Sequence, residues 1–232
     1  VIAAFHAEAS PAGVKKATIA RRGRKCKVGP AKRSMPMGKP IEFFFDVVSP
    51  ASYLAFTQLP KLAEETGSSI ALRPFFLPGL FKLAGSASPI SVPAKGKWIL
   101  EDFTRFARRY GVPFRTNRRF PLNSVTMMRA IIAQTGKPEM ERLAAGFFDA
   151  MWASNRDVAD PAVLVRIAGD AGVPAADFEA SIVDAAVKQA LIDSTAEAHA
   201  RGAFGAPTFF VGGEMHWGQD RLDFVAQAAR AA

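Results

Sequence analysis

Cysteine is nearly absent from this chain: Cys26 is the only one in 232 residues. A single thiol cannot form an internal disulfide, and it cannot build a multi-cysteine metal site. Histidine is almost as scarce. His6, His199 and His216 lie far apart, which gives a zinc or iron centre no framework, so no metal is expected. No apolar stretch reaches the roughly 18 residues that a helical membrane span requires, and no membrane partner is expected. With no disulfide to maintain, nothing demands an oxidising compartment, and a cytoplasmic protein is expected.

What the chain does have is apolar content and a lopsided charge. Its 49% hydrophobic residues can bury a substantial core in one domain with a subdomain. The formal net charge is +9. Residues 1–40 hold ten basic side chains, among them Arg21, Arg22, Arg24, Lys25 and Lys27, against one acid, Glu8. Taking these from the totals of 30 basic and 21 acidic residues leaves 20 of each in 41–232. The body is electroneutral, so phosphate binding lacks a driving charge and no nucleic-acid partner is expected of it. Residues 1–39 lack apolar periodicity and read as a disordered basic extension. A nucleic-acid arm, an acid-poor presequence and a membrane-surface anchor all fit that composition. So does a translation start further on, since Val1 opens the chain and Met35 and Met37 stand just ahead of the first apolar run.

That run, residues 41–46, reads as a short buried strand. Ser49 as N-cap, Pro50 at the first helical position and Gly67 as the stop predict a helix over 50–66. Residues 70–75 alternate like a second strand that Pro74 curtails, giving a βαβ start. Residues 78–96 carry Gly79, Gly85, Pro89, Pro93 and Gly96 and read as irregular. Five helices are then expected: 97–110, with Trp98, Ile99, Phe103, Phe106, Ala107 and Tyr110 on its apolar face; 123 or 124 to about 134; 138–152; one opened by Asp160-Pro161; and 176–201. Strand character returns at 207–211 and 214–217 around a Gly212-Gly213 hairpin turn, and a last helix runs over 219–231. The order is βαβ, helices, ββα. This is an α/β fold: a thioredoxin-like core interrupted by an all-α insertion. The expected segments are 40–77 and 201–232 for the core and 78–200 for the helices.

Three short stretches carry chemistry. Ser49 stands where a hydroxyl ordinarily caps the helix, yet the same helix end favours an anion and would lower the pKa of an external thiol placed there. Ser52, one turn on, reads as an ordinary first-turn hydroxyl. Ala206-Pro207 opens a strand; the proline is either routine or cis, and the backbone of Ala206 is placed to pair with an extended peptide. Trp217-Gly218-Gln219-Asp220 enters the last helix. It is either plain capping or a grip on an amino-acid end, with the amides of Gln219 and Asp220 on a carboxylate and the Asp220 side chain on an ammonium.

Together with Phe44-Phe45-Asp46, Arg73-Pro74-Phe75, Gly79-x-Phe81-Lys82, Ala107-Arg108-Arg109-Tyr110-Gly111, Asn123-Ser124 and Phe204-Gly205-Ala206-Pro207-Thr208-Phe209, these stretches resemble one family over essentially all of 40–230. It is the 2-hydroxychromene-2-carboxylate isomerases, relatives of kappa-class glutathione transferases in the DsbA-like thioredoxin superfamily. Members of that superfamily often carry a Cys-x-x-Cys pair at the strand-to-helix corner. Here hydroxyls stand at 49 and 52, which excludes a redox dithiol. The resemblance implies glutathione as a recycled cofactor, with Ser49 as the catalytic contact to its sulfur. Ala206 and Pro207 would hold the cysteinyl segment, and Trp217, Gly218, Gln219 and Asp220 the γ-glutamyl end. It also implies an aromatic 2-oxo acid as substrate, Lys82 and Tyr110 as substrate contacts, and a homodimer. A kappa-like transferase and a non-catalytic peptide-binding module are the alternatives. Ala51 stands where relatives often place an aromatic, while His216 and Gln219 replace an aromatic and a smaller polar residue.

Overall fold

A computed structural model describes residues 38–230. The expectations for the basic extension and for a start near Met35 fall on residues 1–37, outside the described residues, as do residues 231 and 232.

Strand β1 (Ile41–Phe45) leads through a short turn into α1 (Pro50–Thr66), and β2 (Ile70–Pro74) follows. Then come α2 (Leu77–Leu83), a single 3₁₀ turn, α3 (Pro93–Tyr110), α4 (Val125–Ile132), α5 (Glu139–Trp152), α6 (Pro161–Asp170), α7 (Ala175–Val183) and α8 (Ala185–Ala200). The chain closes with β3 (Thr208–Val211), β4 (Glu214–Trp217), a 3₁₀ turn at Gln219–Arg221 and α9 (Leu222–Arg230). The sheet order is β2-β1-β3-β4. β1 runs parallel to β2 and antiparallel to β3, and β3 pairs antiparallel with β4. That is the βαβ…ββα arrangement expected of a thioredoxin-like core, with α2–α8 between its two halves.

Period-two alternation divides the sheet's two faces. Phe43 stacks on Phe45 at 5.2 Å and meets Phe209 at 5.1 Å; Phe45 meets Phe148 of α5, which packs on Tyr53 and Phe56 of α1. On the opposite face Phe44 meets Phe210 at 5.5 Å, and the Arg201 guanidinium at the end of α8 lies 3.9 Å over the Phe210 ring. Arg201 also pairs with Glu42 and Glu197, and Arg73 with Glu197, pinning α8 to the sheet. One continuous apolar cluster joins the strands to α5 and α6. The helices between β2 and β3 therefore share the sheet's core.

The local signals hold at several element ends. Gly67 and Gly111 end α1 and α3 in the left-handed conformation, and Gly212 and Gly213 both take positive φ in the β3–β4 turn. Four expectations need correction. The 78–96 stretch is not irregular: it contains α2, and α3 begins at Pro93 rather than 97. The prolines Pro78 and Pro93 occupy first-turn positions, where the missing N–H costs nothing. The single helix expected over 176–201 is two, because Asp184 takes an extended conformation and its carboxylate caps Ala186 and Val187. Trp98 lies off the packed face of α3 and is 58% exposed.

Candidate active site

The turn between β1 and α1 is held from all sides. Ser49 N–H donates to the Asp46 carbonyl at 3.0 Å, and Val48 N–H to Asp46 Oδ1 at 3.0 Å. Val47 N–H donates to Met128 Sδ of α4 at 3.4 Å, while Trp152 Nε1 of α5 donates to the Val47 carbonyl at 2.8 Å. With the turn fixed, Ser49 takes extended backbone angles and caps α1: its Oγ accepts from Ser52 N at 3.1 Å. The same hydroxyl donates to the Ala206 carbonyl at 3.2 Å, across 157 residues of chain. The Ala206–Pro207 peptide is cis.

From Ala206 the contacts continue in one line. Gly218 N–H donates to the Pro207 carbonyl at 3.0 Å. Gly218 has φ 103°, a conformation glycine adopts without strain, and so turns the chain into the last helix. Gln219 is buried behind it. Tyr110 Oη sits 2.9 Å from the Gln219 carbonyl and 3.0 Å from its Oε1, close enough to donate to either. Burial raises the Tyr110 pKa, with Asp220 and Asp223 adding to the effect and Arg109 opposing it. Trp217, half exposed, rests against Gly205 and packs on Phe204 at 5.0 Å. Asp220 is exposed and pairs with Arg221 at 2.7 Å.

The structure therefore brings Ser49, Ala206, Pro207, Trp217, Gly218 and Gln219 to one place, with Asp220 next to them and Tyr110 fastened to Gln219. Lys82 does not join them: it is exposed in the last turn of α2, and its side chain makes no hydrogen bond or ion pair among the described residues. Ser52 is not an ordinary first-turn hydroxyl either. It is fully buried, and its Oγ has no hydrogen-bond partner among the described residues. Grooves of about 320 Å³ between α1, β2 and α5 and between β4 and α9 do not include Ser49. Among the described residues no group of three or more His, Cys, Asp or Glu could hold a metal.

What remains open at this corner is backbone. The amides of Ala51, Ala206, Gln219 and Asp220 have no hydrogen-bond partner among the described residues. Ala51 lies in the first turn of α1, and Gln219 and Asp220 open the 3₁₀ turn ahead of α9; at such ends free N–H groups favour negative charge. Such an arrangement can stabilise a thiolate at Ser49 and a carboxylate near Gln219. Sequence reasoning missed Asp46 as a contributor, along with its partner Ser124 and with Met128, which meets the Val47 amide. The available signal was an acid closing an otherwise apolar strand.

This geometry defines a thioredoxin-fold corner at which the gathered residues include no thiol. The DsbA-like thioredoxin domain matches residues 40–230. The chain belongs to that family, in the branch shared by 2-hydroxychromene-2-carboxylate isomerases and kappa-class glutathione transferases. It is 33% identical over 191 residues to the 2-hydroxychromene-2-carboxylate isomerase of Sphingobium xenophagum, covering 82% of this chain and 97% of that one. It is 29% identical over 207 residues to glutathione S-transferase kappa 2 of Caenorhabditis elegans, covering 83% and 92%. A solved selenomethionine structure of a 2-hydroxychromene-2-carboxylate isomerase superposes with a TM-score of 0.71 at 27% identity, covering 81% and 93%.

Proposed function

We propose that the protein is a glutathione-dependent cis-trans isomerase interconverting 2-hydroxychromene-2-carboxylate and trans-o-hydroxybenzylidenepyruvate. One observation carries this reading: a hydroxyl at the start of α1 touches the Ala206 carbonyl, with four unpaired amides around them. Those groups fit an extended γ-glutamyl tripeptide. The Ala206 N–H and carbonyl match the backbone of its cysteinyl residue, and the amides of Gln219 and Asp220 match its terminal carboxylate. Held by Ser49, Ala206, Gln219 and Asp220, glutathione would supply a nucleophilic thiolate for reversible addition to the conjugated double bond of an aromatic 2-oxo acid.

The chain's own residues do the rest. The start of α1 lowers the pKa of a thiol held there. The Ser49 O–H, which donates to the Ala206 carbonyl at 3.2 Å, would be free to turn to a bound sulfur, leaving that carbonyl to accept a peptide N–H. Gly218 shapes the turn that presents the Gln219 and Asp220 amides, and Tyr110 anchors that turn to α3. No proton acceptor beside Ser49 is needed, because the helix end favours the ionised sulfur.

Interconversion followed by absorbance, with and without glutathione, tests this reading. Turnover should require glutathione, and Ser49→Ala should lower it by roughly ten- to a hundredfold, the loss of one charge-assisted hydrogen bond in the transition state. Turnover that ignores glutathione would refute it. The near full-length match to a kappa-class transferase supports a second reading, in which the conjugate is released rather than recycled. Rapid release of a conjugate from a halonitroarene would favour that one.

A further inference from the structure

Asp46 is the only carboxylate wholly buried among the described residues, and it lies directly beneath the Ser49 turn. Its Oδ1 accepts from Val48 N–H at 3.0 Å; its Oδ2 accepts from Leu77 N–H at 2.9 Å and from Ser124 Oγ at 2.9 Å. Leu77 is the first residue of α2, and Ser124 is the residue ahead of α4. Phe76 offers α2 no capping side chain, and at α4 Ser124 caps no amide itself while Asn123 Oδ1 accepts from Val125 N–H at 3.0 Å. One carboxylate thus ties the turn that aims Ser49 to the starts of two helices.

We propose that Asp46 is a positioning residue for the chemistry at Ser49, and that its ionised form is the one that holds the corner in place. The inference rests on the reading of Ser49 as the partner of a bound thiol. An ionised carboxylate only accepts hydrogen bonds, and everything that faces Asp46 donates one. The facing groups from the turn, α2 and α4 are two amides and a hydroxyl, and no charged side chain among the described residues shifts its carboxyl. Once protonated, Asp46 presents an O–H to this set of donors. Of the three, only the Ser124 hydroxyl can reverse to accept it. The other two are backbone amides, which then face the oxygens of a neutral carboxyl, weaker acceptors than a carboxylate, so protonation loosens the hold on Val48 and Leu77. Burial, opposed by the three hydrogen bonds, raises the carboxyl pKa to about 6, which puts this change within an ordinary range of working pH.

Two measurements on the full chain test the proposal. The first uses no glutathione: nuclear magnetic resonance follows the Asp46 carboxyl carbon and the amides of Val48, Ser49, Ser52 and Leu77 from pH 5 to pH 8. All should titrate with one midpoint near 6, and in Asp46→Asn the amide titration should vanish. The second is the pH profile of glutathione-dependent turnover, which should fall on the acid side with the same midpoint. Ser124→Ala removes a bond that favours the ionised form. It should move both the carboxyl midpoint and the acid limb upward together, by up to roughly one pH unit. A purely structural serine would move neither. An Asp46 carboxyl that titrates without the Ser49 and Ser52 amides overturns the proposal, as does an acid limb that ignores Ser124→Ala. If glutathione does not bind the wild type, the functional reading fails by itself, and the titration without glutathione decides the role of Asp46.

Discussion

At the residue scale, Asp46 sets function against stability. Its carboxyl, ordinarily near 3.8, is raised to about 6, with burial the largest cause. The folded protein therefore holds this proton more tightly than the unfolded chain does. The stability that the protonated group contributes is full below about pH 3.8 and is lost as pH rises through about 6. The span is about 3 kcal/mol. Glu42, lowered by its hydrogen bond to Arg201, and Asp157, lowered to about 2 by Arg119, slope the opposite way. Comparison with Asp46→Asn cancels them. Urea unfolding should show the wild type losing about 2 kcal/mol relative to that variant between pH 4 and pH 7; a constant difference would contradict the linkage. Ser49, Pro207 and Gln219 could be picked out in the sequence because a cap, a strand-opening proline and a helix start are local signals. Asp46 could not be given a role in the same way. Its partners Leu77 and Ser124 lie 31 and 78 residues away, and Met128 lies 81 residues from Val47.

At the element scale, the same distinction separates the helices that were legible from those that were not. α1, α5 and α6 carry their own start signals or a clean apolar face, and their observed ends agree with expectation to within a residue or two. α2 has neither. Phe76 precedes it without a capping side chain, and the first free amide is met by Asp46 from another part of the chain. The break between α7 and α8 was marked by Asp184, but the surrounding alanines and apolar residues sustain a helical pattern through it. Its Oδ1 accepts from Ala186 N at 2.6 Å and Val187 N at 2.9 Å. Asp184→Ala should destabilise the protein by about 1 kcal/mol, as loss of a cap does elsewhere. Denaturant titration at constant slope would measure it. An unchanged midpoint would show that the break is set by tertiary packing instead.

At the scale of the whole molecule, the helices between β2 and β3 are not a separate body resting on the sheet. Trp152 is fully buried, stacks on Phe114 at 5.9 Å, meets Phe120 at 5.2 Å, and donates to the turn that carries Ser49. The core and the Ser49 corner should therefore unfold together. Far-ultraviolet dichroism and tryptophan fluorescence should report a single coincident transition, whereas two separated transitions would show the helices melting on their own. The order of elements was readable because strand and helix periodicities are local; this sharing of one core was not, since it depends on which rings meet across the chain.

The rim of the site also sets which of its positions could be altered to change selectivity. A β-carbon at Gly205 would stand 2.5 Å from the Trp217 indole nitrogen, so every other residue there must push the indole aside. Ala206, its neighbour, already carries a β-carbon and is only half-buried. Substitution at this rim therefore meets opposite constraints at two adjacent positions: 205 takes no β-carbon without moving Trp217, whereas 206 already carries one.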